Sequence, residues 1–285
     1  MYKTFRHFGS VEAVLKADIT SLEPKIGSKA TNIVSRDVER DYLNNAIVKL
    51  KQLNTEAITY ENEKYPKNIL NLPDPPVIFL KGNKSLLYQK SVSIVGSRKA
   101  ALSALNMTKS FVLELRQTVV SGGADGIDSK VYQSALESSI PTIAVIGFGF
   151  LYAKRSLFTN ILNKNGLLLT EFLPIEKPSK YTFPMKNRII ASLGEYLLFM
   201  QASSKSSALI SAYWAFKLNK KVFAYVGNPV EESEGCVNLV RENVAKLFTN
   251  KSHLFKDLDL SFEKPENQQN PILFFLINHA LLMSF

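Results

Sequence analysis

The chain has 285 residues, 46% of them hydrophobic and 21% charged, the usage of an ordinary globular protein rather than a disordered or membrane-embedded one. Lysine and arginine number 35 against 25 aspartates and glutamates, a formal charge of +10 that favours a polyanionic partner but also suits a merely basic surface. A single cysteine, Cys236, excludes an intrachain disulfide and a cysteine-built zinc site.

Met1 to Ser10 lacks the apolar stretch of a secretory signal, and no run approaches the ~20 apolar residues that span a bilayer. A cytoplasmic protein with no membrane contact is expected. In the first fifty residues the pattern predicts short helices. Ser10 is placed to cap a segment carrying Val11, Val14 and Leu15, and a second amphipathic segment runs through Tyr42, Ile47 and Leu50. The stretch Ile26 to Ala30 reads either as a helix turn or as a small hairpin offering backbone N–H groups to phosphate.

Tyr65-Pro66 and Pro73-Asp74-Pro75-Pro76 then punctuate the chain, and an apolar run begins at Val77 to Leu80. Beyond it, Val92 to Val95, Thr118 to Val120, Thr142 to Ile146, Leu167 to Leu169, Tyr196 to Met200 and Val222 to Val226 are predicted as buried strands separated by helical stretches. This alternation gives an α/β fold: a Rossmann-like, doubly wound, mostly parallel sheet with a small helical N-terminal domain, its ligands outside the carboxyl ends of the strands. The expected domains are residues 1–58, helical; 59–255, α/β; and 256–285, a linker and C-terminal helix. In that tail a polar linker, Pro265 to Gln269, is expected to precede an apolar helix opened by Asn270-Pro271, which either packs on the parent domain or makes a dimer or partner contact.

Three loops carry the candidate chemistry. At Ile94 to Lys99, Gly96 lets backbone approach a ligand and Arg98 offers a two-pronged guanidinium to phosphate, without the G-x-G-x-x-G spacing of a dinucleotide site. At Val119 to Asp128 a strand, a glycine-rich turn and a helix start follow one another, so several N–H groups can point at one anion. Asp125 would repel a phosphate from inside such a site, so it is expected to face away or to bond backbone; Asp128 suits the helix N-terminus. At Phe183 to Ile190 an aromatic ring, Lys186, Asn187 and Arg188 gather at a helix start whose first turn can hold Pro184. Cations beside a ring suit single-stranded nucleic acid, the cations meeting backbone and the ring stacking on a base; core packing of Phe183 is the plainer alternative.

Taken in order, Tyr65-Pro66, Asp74-Pro75-Pro76, IVGSR (Ile94 to Arg98), VSGGADGID (Val120 to Asp128), TIAVIGFG (Thr142 to Gly149), LLLTEF (Leu167 to Phe172), FPMKNRIIA (Phe183 to Ala191), ALISA (Ala208 to Ala212), VFAYVGNP (Val222 to Pro229) and GCVNLV (Gly235 to Val240) resemble the DNA-processing DprA/Smf family. The resemblance spans about residues 60 to 245. It implies a dimer that binds and protects single-stranded DNA and helps load the RecA recombinase in natural transformation, with no cofactor. By the same resemblance the DNA contacts fall on Gly96, Ser97, Arg98, Ser121, Gly122, Phe183, Lys186, Asn187 and Arg188. The chain departs from the family at Val131-Tyr132, where Ala-His is usual, at Tyr152-Ala153, at Ser207-Ala208 and at Val237-Asn238. The tail after about residue 255 is too short for the winged-helix domain that many members carry.

An enzymatic alternative is a LOG-like nucleotide phosphoribohydrolase, which shares the glycine-serine-arginine loop. It needs a PGGxGTxxE segment, and Gln201 to Ser206 reads QASSKS, with no carboxylate in place. His7, His253 and His279 lie outside the motif-bearing segments, no metal-ligand cluster stands out and no G-x-S-x-G elbow occurs. Glu171 and Asp128, the carboxylates nearest the loops, read as structural, and no enzyme activity is expected.

Overall fold

Five consecutive strands that are apolar on both faces dictate a sheet covered on both sides. In the computed structural model, which describes residues 38–115, 117–227 and 231–258, every residue of β3 (Ser91–Val95), β4 (Thr118–Ser121), β5 (Thr142–Val145), β6 (Leu167–Thr170) and β7 (Tyr196–Phe199) is buried. Strand β8 (Lys221–Tyr225) adds a sixth, exposed only at Lys221. All six pair in parallel, in the order β6-β5-β4-β3-β7-β8. The expected strands are present, shifted by a residue or so at their ends, and the sheet is mostly parallel.

Three further short strands lie outside the six expected. β1 (Glu56–Ile58) and β2 (Ile78–Gly82) join antiparallel to each other, and β2 runs antiparallel to β6, with Leu80 opposite Leu169. The apolar run that opens at Val77 therefore extends the sheet. β9 (Lys246–Phe248) completes the order β1-β2-β6-β5-β4-β3-β7-β8-β9. By its internal contacts the chain divides into two compact units, residues 1–247 and 248–285. Within the second, helix α9 (Lys251–Asp257) starts at Asn250, whose side chain accepts from the His253 N–H at 3.1 Å.

Crossover helices connect the strands: α3 (Leu102–Glu114), α4 (Ile127–Glu137), α5 (Ser156–Asn163), α6 (Thr182–Leu193) and α7 (Leu209–Lys217), followed by α8 (Glu234–Arg241). Ahead of them lie α1 (Val38–Gln52) and the short α2 (Lys67–Leu70). Helix α1 contains the segment expected through Tyr42, Ile47 and Leu50; Ala46 is buried in it and Ile47 is half-exposed. The expectations for Ser10 to Leu15, for Ile26 to Ala30 and for the helix after Pro271 lie outside the described residues.

After β3 the chain steps through β4, β5 and β6 on one side and later returns to the other side of β3 as β7 and β8. Loops leaving β3 and β7 must therefore diverge, which opens a crevice at their carboxyl ends, the switch point where doubly wound sheets bind ligands.

Candidate nucleic-acid interface

That crevice is a pocket of about 490 Å³. Residues from five distant stretches line it: Val95 to Lys99 after β3, Ala124 and Asp128 after β4, Phe183, Lys186, Asn187 and Ile190 on α6, five residues between Ser203 and Ser211 around the start of α7, and Glu232 ahead of α8. Spacing explains the α6 contribution, since positions 183, 186, 187 and 190 recur at three and four residues and share one helix face. At the start of α6, Ser179 and Thr182 bond reciprocally and fix the entry of the chain into the helix. Ser179 Oγ accepts from the Thr182 N–H at 3.2 Å, and Thr182 Oγ1 accepts from the Ser179 N–H at 3.0 Å.

The loop after β3 is held from two sides. The Ser97 N–H donates to the Gln201 carbonyl at 2.6 Å, and the Ala101 N–H donates to Gln201 Oε1 at 2.7 Å. From the other side, the Ile127 N–H donates to the Ser97 carbonyl at 3.1 Å. Gly126 makes this approach possible: it has a φ of 71°, and a Cβ there would collide with the carbonyl oxygens of Ser97 and Arg98. Held at both ends, the loop leaves Arg98 exposed at the pocket, its guanidinium carbon 5.4 Å from the centre of the Phe183 ring. Phe183 is half-buried, edge-on to Phe148 at 6.1 Å between centroids, so one part of the ring packs while another faces the pocket.

Lys186 forms part of the floor. It is 5% exposed, and its ammonium donates to the Gly122 carbonyl. Burial pulls its pKa down to about 8, against the opposing pull of Asp128, while nearby Arg98 lowers it further. Asp128, itself buried, accepts from the Ala124 N–H at 3.2 Å; burial raises its pKa and Lys186 counters that rise. Gly122 separates the two charges, and a Cβ at that position would overlap both side chains.

The expected site residues thus divide. Gly96, Ser97, Arg98, Phe183, Lys186 and Asn187 all line the pocket; Ser121, Gly122 and Arg188 do not. Ser121 is fully buried, its hydroxyl donating to the Ile94 carbonyl at 2.6 Å, and Gly122 anchors Lys186. Asn187 uses its amide N–H to hold the Ser207 carbonyl at 3.1 Å, tying α6 to the loop before α7.

Arg188, two residues beyond Lys186, emerges on the other side of α6. It pairs with Glu171 and donates to the Asp74 carbonyl at 3.0 Å. Glu171 thereby ties the segment after β6 to α6. Replacing Arg188 with alanine should cost about 1–3 kcal/mol, limited because burial already raises the Glu171 pKa, while leaving nucleic-acid affinity and its salt dependence unchanged. Thermal unfolding and a salt-titrated binding curve of the same variant check both halves.

Asp125 turns to Arg155, at 2.7 Å, and is not among the lining residues. Arg155 also donates to the Gly123 carbonyl at 2.7 Å and fastens the glycine-rich turn from outside. Sequence reasoning passed over Arg155, Gln201 as an anchor, Ser211 and the exposed Glu232, which also lines the pocket. Nothing in the local pattern around Glu232 distinguishes it from a solvated acid; its place depends on the return of the chain after β8. At the departure Val131-Tyr132, the tyrosine is fully buried and its hydroxyl donates to the Ile143 carbonyl at 3.0 Å. Among the described residues no cluster of three or more His, Cys, Asp or Glu is placed to hold a metal, and no helix is long and apolar enough to cross a membrane.

The family profile described as DNA recombination-mediator protein A matches residues 56–259, a span that contains every one of these pocket elements. The chain belongs to that family. Among its relatives, the DNA processing protein DprA of Streptococcus pneumoniae is 36% identical over 192 residues, covering 65% of this chain and 68% of the relative. DprA of Bacillus subtilis is 30% identical over 236 residues, 79% of each chain. Protein Smf of Synechocystis is 34% identical over 236 residues, and the chain spans 59% of that protein's length.

Two solved structures of the family agree with the fold. DprA from Streptococcus pneumoniae superposes with a TM-score of 0.75 at 28% identity, covering 93% of both chains. DprA from Helicobacter pylori, described as having a unique single-stranded DNA binding mode, superposes with a TM-score of 0.63 at 27% identity, covering 72% of this chain and 95% of that one.

Proposed function

We propose that this member of the DNA recombination-mediator protein A family binds single-stranded DNA in the pocket between β3 and β7. The observation that carries the reading is the stacking of Arg98 over Phe183 at the pocket, with Lys186 in the floor. An exposed guanidinium meets phosphate, a half-buried ring stacks on a base whatever its identity, and a buried ammonium adds a fixed positive charge. Gly96, Ser97 and Asn187 then contact the strand, whereas Ser121, Gly122 and Arg188 support those contacts.

The family relationship extends this reading to protection of incoming strands in the cytoplasm, loading of the RecA recombinase and a homodimer that joins two pockets and so raises apparent affinity. Asp128 is buried beside Lys186, Glu171 pairs with Arg188 outside the pocket lining and Glu232 stands exposed in it, an arrangement that suits binding rather than acid–base work.

Anisotropy of labelled oligothymidine and of a matching duplex, each titrated over a salt series, tests the proposal. Single strand should bind more tightly, with log affinity falling linearly in log salt. Equal or better duplex binding, or no binding at low salt, sinks it and returns the pocket to a small nucleotide ligand.

A further inference from the structure

The wall of the pocket at the start of α7 carries hydroxyls rather than cations: Ser203, Ser206, Ser207 and Ser211 all line it. Ser211 is the unusual one. It is 1% exposed, and its Oγ has no hydrogen-bond partner. A buried hydroxyl left unsatisfied destabilises a fold, and alanine in its place would not. Such a group calls for an explanation, and Ser211, unlike the equally unpartnered Ser134, lines the pocket.

The chemistry of the wall suits an anion. Helix α7 has nine residues and points its N-terminal, positive end at the pocket. Its first-turn amides are already closed, Leu209 N–H to the Ser206 carbonyl at 3.2 Å, Ile210 to Ser207 at 3.3 Å and Ser211 to Ala208 at 2.9 Å. The hydroxyls are therefore the donors left for a ligand. Asn187 fixes the Ser207 carbonyl from α6, so the wall is held before any ligand arrives. The exposed Glu232 carboxylate also lines the pocket.

We propose that this serine wall is a second phosphate subsite, in which Ser211 donates to one phosphate of the strand while Arg98 meets a neighbouring one. The proposal rests on the single-strand reading and deepens it: the pocket grips consecutive phosphates by unlike means, one through charge and one through neutral donors at a helix end. Neutral donors release no counterions, so the two grips separate in a salt titration.

Ser211→Ala and Ser211→Thr, with oligothymidine as the probe, test it. The alanine variant should bind about ten- to a hundredfold more weakly, as expected for losing a hydrogen bond to a charged group. Its salt slope should match that of the wild type, and its Tm should rise by a few degrees because an unsatisfied polar atom has left the core. Threonine, which keeps the hydroxyl, should restore most of the affinity. An alanine variant that binds like the wild type overturns the subsite. So does one that binds weakly with a lowered Tm, since that marks Ser211 as a packing residue. A wild type that binds no oligothymidine at all instead removes the single-strand reading, and the subsite with it.

Discussion

Arg98→Ala should weaken oligothymidine binding by about ten- to a hundredfold, the scale of losing a charge-assisted hydrogen bond. It should also reduce the salt slope by about 1. The size follows from placement. Arg98 is exposed and stands over Phe183, but the loop beneath it is fixed by Gln201 on one side and by the start of α4 on the other. A guanidinium presented from a fixed loop loses little freedom on binding, so most of its attraction survives as affinity. Lysine at the position should recover part of the charge effect and less of the affinity, because an ammonium neither forks onto phosphate nor lies flat on the ring. The loss should be the same for oligothymidine, oligocytidine and oligoadenine, since phosphate carries no sequence. A loss confined to one base would assign Arg98 to a base edge, and unchanged binding in a folded variant would remove it from the interface.

Asp128→Ala should destabilise the protein by about 1–3 kcal/mol, the cost of removing the buried carboxylate that accepts from the Ala124 N–H and opposes the buried Lys186 charge. The pH dependence identifies the mechanism. Burial already holds the Lys186 pKa at about 8, below its ordinary 10.5, and Asp128 opposes that fall. Without Asp128 the folded-state pKa drops further, while the unfolded chain still binds its proton up to about 10.5. Between these values the unfolded state carries more protons, so the stability of the variant should rise with pH across that window. The window opens at lower pH than in the wild type, and the deficit is largest in mild acid. Asp128→Ala/Lys186→Met should regain most of the loss at every pH, because no buried charge remains, while oligothymidine affinity stays low. Denaturant unfolding of wild type, single and double variants at acid and alkaline pH reads this out. A pH-independent deficit would reduce Asp128 to a cap of the Ala124 N–H.

Much of the architecture was legible because burial on both faces leaves a direct mark. Runs such as Val92 to Val95 and Leu167 to Leu169 have no polar alternation, and a strand of that kind has to sit inside a covered sheet. The short strands β1 and β9 escaped because Glu56 to Ile58 and Lys246 to Phe248 are three residues each, with a single buried position; their pairing comes from neighbours distant in sequence. In the site, the pocket face of α6 could be read from helical spacing, which unites Phe183, Lys186, Asn187 and Ile190. The same spacing sends Arg188 elsewhere, yet its partner Glu171 lies beyond local reasoning, because it follows a strand formed earlier in the chain. Ser211 escaped for a different reason. A serine in an apolar helix is unremarkable until its surroundings show that no carbonyl receives it.

The pocket draws its walls from residues 95–99, 124–128, 183–190 and 203–211, with Glu232, stretches that meet only after β7 has inserted beside β3. A chain emerging from the ribosome holds Arg98 long before it holds Ser211. Until the second half of the sheet closes, Arg98 has neither the Phe183 ring beneath it nor the Gln201 carbonyl to fix its loop. Long-range parallel pairing is among the slower steps of folding, so the pocket is one of the last features of the domain to form. Until residues 203–211 are in place, the pocket lacks a wall that nothing earlier in the chain can supply.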